Sequence, residues 1–284
     1  MDRLTGPALD ARLREFLAED VGAGDITTVT TVAADVRALG ELVAKSACVV
    51  SGLDVARRVF ELVDPELVWA SETLPGAPAA AGARIAQLAG RARAMLTAER
   101  VALNLLQRMS GIATATRRYV DAVAGTPCRI LDTRKTAPGL RPFDRQAVRD
   151  GGGTNHRYDL SGLVLIKDNH RRLAGGVAAA IAAARAGARR GTPIEVEVET
   201  QEELAAAADA RVDWLLIDNQ RPETVAQWCR LVRSRPGAPK IEASGGITLD
   251  RARAFAEAGA DAVSVGALTH SVVAADISLE LTPA

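Results

Sequence analysis

The stretch Ile130-Leu131-Asp132-Thr133-Arg134-Lys135 begins as an apolar strand and ends in two adjacent cations, with Arg141 close behind. A guanidinium beside an ammonium suits a multiply charged anion, because Arg grips carboxylates through paired hydrogen bonds and Lys adds a point charge. Similar strand endings follow. GLVLIKD (162–168) delivers Lys167 and then Asp168, Asn169 and His170, and VDWLLID (212–218) ends at Asp218 beside Asn219. In IEVEVE (194–199), alternation puts Glu195, Glu197 and Glu199 on one face of a strand. Three carboxylates on one face are costly unless paired or wetted, so the simplest reading is one polar, partly hydrated cavity shared with the Lys and Arg groups. GGGTNHR (151–157) adds His156 and Arg157 on a glycine-rich loop. SGGIT carries Ser244, Gly245 and Gly246, and VSVGAL carries Val265, Gly266 and Ala267. Both place backbone N–H groups at a helix start with no side chain to block an anion, which suits a phosphate. Singly, each charge reads as a solvated loop residue and each glycine run as a tight turn. Two consecutive glycine loops opposite a cation cluster point instead to a site for two anionic reactants, with carboxylates between them for ribose hydroxyls or a metal-bound pyrophosphate.

Elements that could converge these residues are legible in the spacing. The apolar runs at 129–132, 162–168, 193–199, 212–218, 240–244 and 261–266 alternate with helical stretches at 171–190, 201–209, 222–235 and 248–258. Such alternation predicts right-handed βα units and a parallel sheet, an α/β barrel or an open sheet of the same units, with the chemistry at the C-terminal strand ends. The N-terminal part reads differently. It offers a helix over 7–20, a loop at VGAGDITT, a strand segment over 36–50, an amphipathic helix with Ser51 as candidate cap, short strands and turns over 67–93, and a long helix over 97–123 with a break expected near Gly111.

Composition removes several function classes. Thirty-five basic and 35 acidic residues give zero formal charge over 284 residues, so no global field favours nucleic acid or a membrane surface. No apolar run reaches membrane-spanning length, and the polar start MDRLTGPALDARLREF lacks the core of a signal peptide. Cys48, Cys128 and Cys229 have no disulfide or zinc spacing, which fits a reducing cytoplasm. Only four of the basic residues are lysines (Lys45, Lys135, Lys167, Lys240), so each has a raised chance of a specific task. No GxGxxG follows a first strand, which weakens a dinucleotide-binding reading.

EDVGAGDITT (19–28), TAERVALNLLQRMSGIAT (97–114), LDTRKTAPGLR (131–141), GGGTNHR (151–157), LIKDNH (165–170), IEVEVE (194–199), SGGI (244–247) and VSVGALTHS (263–271) together resemble the quinolinate phosphoribosyltransferases of NAD synthesis. The resemblance implies a type II phosphoribosyltransferase with an N-terminal α/β sandwich-like domain over 1–111 and an incomplete parallel α/β barrel over 112–270. It also implies a C-terminal segment, 271–284, packing back on the N-terminal domain. The implied reaction joins quinolinate to phosphoribosyl pyrophosphate, with Mg²⁺, giving nicotinate mononucleotide, pyrophosphate and carbon dioxide. The implied assembly is a cytoplasmic homodimer in which one subunit's N-terminal part closes the other's barrel. By the same resemblance Arg134, Lys135, His156 and Arg157 form the quinolinate pocket, with Arg100 supplied in trans and Thr133 contributing from the same loop. Lys135 and Lys167 are shared between quinolinate and pyrophosphate, and Glu197 and Asp218 face the ribose hydroxyls and the metal, which arrives with the phosphates rather than at a dedicated site. Ser244, Gly245, Gly246, Val265, Gly266 and Ala267 cradle the 5′-phosphate, with His270 nearby. Lys135, Lys167, Glu197 and Asp218 are the implied catalytic set, and Tyr158–Ser161 receives no role.

Three rival readings remain open at this point. A Schiff-base aldolase or lyase would use Lys167 as nucleophile. A non-catalytic small-molecule binder related to phosphoribosyltransferases and tied to molybdate uptake would lack some of the dicarboxylate-binding cations, yet Arg134, Lys135, His156 and Arg157 are all present. Nicotinate phosphoribosyltransferase has a monocarboxylate acceptor that needs fewer cations.

Overall fold

The computed structural model describes residues 5–284, so the first four residues of the expected N-terminal domain lie outside the described residues. The chain divides into two compact units. One comprises residues up to 117 together with 136–152 and 268–284, and the other comprises 118–135 and 153–267. The sequence boundaries are 111/112 and 270/271, with 271–284 returning to the N-terminal domain; by compactness the first unit runs to 117 and takes in both 136–152 and 268–284.

The chain enters through α1 (Gly6–Val21), with a proline in its first turn. The stretch read as a loop contains a short helix, α2 (Ile26–Thr31), whose start is capped when Asp25 accepts the Thr28 N–H. β1 (Arg37–Ala44) alternates exposed and buried positions, as expected of a strand with one face on a core. β2 (Cys48–Val49) precedes α3 (Leu53–Val63). Ser51 is not the cap of α3: Gly52 occupies that position in a left-handed conformation, and the Ser51 hydroxyl donates to Asp150 at 2.6 Å. β3 (Val68–Ala70), β4 (Pro78–Ala79) and β5 (Arg84–Arg91) lead into α4 (Ala92–Ala122).

The expected break in α4 at Gly111 does not occur. A Cβ at that position would lie 2.2 Å from the Val273 carbonyl oxygen, so glycine serves close backbone approach rather than a kink. The core of this unit gathers Leu42, Phe60, Met95, Leu106, Met109 and Phe143 from β1, α3, α4 and the segment after 136.

The second unit begins its sheet with β6 (Arg129–Leu131). The Pro- and Arg-rich segment after it folds, in the first unit, as α5 (Arg141–Asp150), a helix the sequence reading lacked. Its Asp144, Arg145 and Gln146 are buried, against the usual rule that charge marks the outside, and Arg108 grips Asp144 through both carboxylate oxygens at 2.7 and 2.8 Å.

The βα repeat then runs β7 (Val164–Ile166), α6 (Asp168–Ala174), α7 (Val177–Gly187), β8 (Ile194–Val198), α8 (Gln201–Asp209), β9 (Trp214–Asp218), α9 (Pro222–Arg233), β10 (Lys240–Ser244), α10 (Leu249–Glu257), β11 (Ala262–Ser264) and α11 (Ala267–His270). The single helix expected over 171–190 is two, split at Gly175–Gly176. The six strands form one sheet in the order β6-β11-β10-β9-β8-β7, and every pair is parallel. Among the described residues the edge strands β6 and β7 are not partners, so the barrel is incomplete; beyond β6 a bridge joins Leu131 and Thr154.

The chain ends in β12 (Ile277–Pro283), which returns to the first unit and pairs antiparallel with β1. The first unit's main sheet therefore has the order β12-β1-β5-β3. Among the described residues no helix is long and apolar enough to cross a membrane.

Candidate active site

Strand register decides which side chains share a face. Glu197 stands beside Leu216, Leu216 beside Glu242, and Asp218 beside Ser244. Neighbouring residues in a parallel ladder point the same way, and alternation adds Glu195 two positions before Glu197. One face of the sheet therefore carries Glu195, Glu197, Asp218, Glu242 and Ser244.

The three glutamates of IEVEVE divide: Glu195 joins a separate interior cluster, while Glu197 and Glu199 stay together beside Asp218. Glu195 is 2% exposed and turns into the interior, where its Oε2 lies 3.2 Å from His156 Nε2. Glu197 meets Lys167, Oε2 to Nζ at 2.9 Å, and its Oε1 accepts the Asp168 N–H at 3.3 Å. Glu199 is half exposed and lies 3.8 Å from Arg171. Each stands one step further along the strand, and each finds a different partner.

Around the Lys167–Glu197 pair the charges are dense. Burial first, and then the neighbouring Glu197 charge, push the Asp218 carboxyl above its ordinary value, while Lys167 and Lys135 pull it back. Asp218 is therefore within electrostatic reach of both lysines. Glu197, Glu199 and Asp218 each offer an oxygen within 4.8 Å of the others. Arg157 is lowered from its ordinary value, by burial and then by repulsion from Arg134. Arg157 donates to the Leu163 carbonyl at 3.1 Å, which anchors its guanidinium on the loop before β7.

The loop after β6 is tied to the glycine-rich loop. Asp132, fully buried, accepts the His156 N–H at 2.7 Å and the Asn155 side-chain amide at 2.6 Å. Thr133 Oγ1 accepts the Lys135 N–H at 3.1 Å, fixing the turn that carries the cations. At the next strand end, His170 Nδ1 accepts the Lys167 N–H at 3.0 Å, which sets the backbone from which the Lys167 side chain departs.

The first glycine loop is built around Asn219, a non-glycine residue at φ 54°. Asn219 donates its side-chain N–H to Asp218 at 2.6 Å and its backbone N–H to the Ser244 carbonyl at 3.0 Å. A Cβ on Gly245 would sit 2.2 Å from Asn219 Oδ1, whereas one on Gly246 would meet nothing within 4 Å. Gly245 is thus required by its neighbour, and Gly246 leaves open space at its Cβ position. In the second loop Val265 donates its N–H to the Leu131 carbonyl at 2.9 Å, and half-buried Gly266 and Ala267 lead into α11.

The chain matches the family model described as quinolinate phosphoribosyl transferase, N-terminal domain, over residues 25–110, and the C-terminal domain of the same description over residues 112–280. It belongs to the quinolinate phosphoribosyltransferase family. A protein of Bacillus subtilis (strain 168) named as a probable nicotinate-nucleotide pyrophosphorylase (carboxylating) is 42% identical over 270 residues, 95% of this chain and 92% of its own length. The nicotinate-nucleotide pyrophosphorylase (carboxylating) of Mycobacterium leprae (strain TN) is 43% identical over 278 residues, 95% of each chain. The crystal structure of NadC from Streptococcus pyogenes matches with a TM-score of 0.94 at 40% identity, covering 99% of each chain.

In this quinolinate phosphoribosyltransferase family member, two of the residues named from sequence belong to the first unit. Arg100 is exposed on α4 beside half-buried Glu99, and His270 is exposed, with its Nδ1 2.7 Å from Ser271 Oγ. The sequence reading missed Glu242 and Asn155. Glu242 had a signal, a single carboxylate inside the apolar strand KIEAS; Asn155 had none beyond its place next to His156.

Proposed function

We infer that this chain catalyses the reaction for which its family is named. It transfers the phosphoribosyl group of phosphoribosyl pyrophosphate to quinolinate with decarboxylation, yielding nicotinate mononucleotide, pyrophosphate and carbon dioxide. The observation that carries the reading at the site is the Lys167–Glu197 ion pair, Nζ to Oε2 at 2.9 Å, beside Asp218 on the neighbouring strand, with Arg157 following the His156 that meets Glu195. Quinolinate is a planar dicarboxylate that guanidiniums bind through paired hydrogen bonds.

Each residue then has a task. Arg134, Arg157 and Lys135 hold the two carboxylates, with His156 anchoring their loop and Thr133 fixing the turn. The pyridine nitrogen attacks the anomeric carbon as pyrophosphate departs. The ribose ring gains cationic character, which Glu197 and Asp218 favour electrostatically. Lys167, ion-paired to Glu197, offsets the charge on the departing pyrophosphate. The 5′-phosphate lies against the two glycine loops, Ser244, Gly245 and Gly246 in one and Gly266 and Ala267 in the other, with Val265 tied by its N–H to the Leu131 carbonyl and so holding the second loop in place; the open space at Gly246 supports the reading. Once the ring nitrogen is quaternised it withdraws electrons from the adjacent carbon, so decarboxylation needs a held ring rather than a protein nucleophile. The Lys167–Glu197 pair also weighs against a Schiff-base role for that lysine.

The all-oxygen set Glu197, Glu199 and Asp218 fits Mg²⁺, a hard cation that favours carboxylates and phosphate oxygens. Bound there, the ion would offset pyrophosphate charge. We read the assembly as a homodimer, with the partner subunit's Arg100 completing the acceptor site, and the location as cytoplasmic, which the buried free thiols of Cys48, Cys128 and Cys229 support. The test is an assay of the purified protein with phosphoribosyl pyrophosphate and Mg²⁺, offering quinolinate and, separately, nicotinate. Nicotinate mononucleotide from quinolinate alone is the expected result; equal or better use of nicotinate, or no product from either, overturns the reading.

A further inference from the structure

Inside the barrel, His156, Glu195 and Glu242 form a cluster that the reaction itself does not use. His156 Nε2 lies 3.2 Å from Glu195 Oε2 and 3.5 Å from Glu242 Oε2, and the two glutamates are each 2% exposed. The opposite ring nitrogen, Nδ1, accepts the backbone N–H of Arg157 at 2.7 Å. That contact assigns the tautomer: Nδ1 is the acceptor, so the ring proton sits on Nε2 and is donated toward the carboxylates. It also argues against a cation bound by these three residues. A metal on Nε2 would need the ring proton on Nδ1, where the Arg157 N–H already points.

The cluster is expensive. Glu195 Oε1 and Glu242 Oε1 are buried without a hydrogen-bond partner. Each such orphan is destabilising, and an interior that needed only packing would be as stable with apolar side chains of similar volume. Burial and the Glu242 charge push the Glu195 carboxyl up, as expected for two acids confined together. Burial works against a charged His156 ring, and the two carboxylates outweigh it and raise the ring's hold on its proton. What the arrangement achieves is positional. The imidazole is held at both nitrogens, and its own backbone N–H is held by Asp132. The residue so fixed immediately precedes Arg157.

We propose that Glu195 and Glu242 are positioning residues for the acceptor site: by holding the His156 ring inside the barrel they fix the loop from which Arg157 reaches the acceptor's carboxylates. The proposal rests on the quinolinate reading of that site. Glu195 and Glu242, each 2% exposed, act through His156 on the geometry of a cation that binds only one of the two substrates. Loss of their charge therefore separates the substrates kinetically. A packing role would lower stability without this split.

The experiment is steady-state kinetics of the full chain carrying Glu195→Gln with Glu242→Gln, with circular dichroism and a melting curve to establish folding. The wild-type protein is assayed first. If it makes no nicotinate mononucleotide from quinolinate, the functional reading fails before this proposal is reached. With wild-type turnover in hand, the expected result for the folded double variant is a quinolinate KM raised about tenfold or more with less than a twofold change in the KM for phosphoribosyl pyrophosphate, a loss of about 1.4 kcal/mol in acceptor binding. Glu242→Gln alone, which keeps one carboxylate for the ring, is expected to give a smaller shift in the same direction, and it carries the test if the double variant does not fold. Equal changes in both KM values, or unchanged values for both in a folded variant, overturn the proposal.

Discussion

Glu197 serves two groups at once, the Lys167 ammonium at 2.9 Å and the Asp168 N–H at 3.3 Å, while it also raises the Asp218 carboxyl. Replacing it with Gln keeps an acceptor for Asp168 but removes the charge that holds Lys167. Turnover is expected to fall on the order of a hundredfold, the scale of losing one preorganised electrostatic contact, with little change in melting temperature. A fall of less than about threefold would separate Glu197 from the chemistry. Away from the site, Asp64 is 1% exposed and accepts two hydrogen bonds from Arg91, at 2.6 and 2.9 Å. Arg91 holds its carboxyl below the ordinary value of 3.8. The sign follows: the folded state prefers the ionised form, so the contribution is present above that ordinary value and fades as pH falls through the lowered one. Asp64→Asn is expected to cost roughly 1–3 kcal/mol at neutral pH in a denaturant melt, with the gap to wild type narrowing in strong acid.

The barrel strands owe their role to register. A strand turns all its alternate residues to one face, so Glu195 and Glu197 had to share a face, and that much was legible in IEVEVE. Their separation into an interior cluster and an ion pair was not legible, because it depends on Glu242 and Lys167 arriving from other strands. The same applies to α5 and β12. The Pro- and Arg-rich run of α5 carries only a short apolar stripe, Phe143, Ala147 and Val148, interrupted by charges, and its buried Asp144 is tolerated only because Arg108 meets it. β12 becomes a strand by pairing with β1, some 240 residues earlier in the chain. Glycine at 245 is an element-level requirement, since any Cβ there strikes Asn219 in the turn after β9. Gly245→Ala is expected to raise the KM for phosphoribosyl pyrophosphate about tenfold while moving the quinolinate KM much less, because the displaced turn borders the phosphate loop. A uniform change in both KM values would remove the loop from phosphate binding.

At the scale of the whole molecule, the assembly prediction concerns Arg100, an exposed residue of the first unit with no assigned task within its own chain. Mixing Arg100→Ala with Lys167→Ala chains after unfolding and refolding should give hybrid dimers with one doubly defective and one intact site. Random pairing in a two-fold dimer then returns about a quarter of wild-type activity, read in the product assay. Mixtures no more active than their parents would place Arg100 outside the active site of a partner. The sequence by itself determined the parallel βα repeat, the cations at the first two strand ends, the carboxylate face of β8 and the family, because each is written in local spacing and residue type. Only the tertiary structure decided that residues 136–152 join the N-terminal segment, that Gly111 admits a crossing backbone, and that His156 is gripped by two buried carboxylates. Those features arise from contacts between residues far apart in the chain, where the free energy of a group is set by partners that no local pattern specifies.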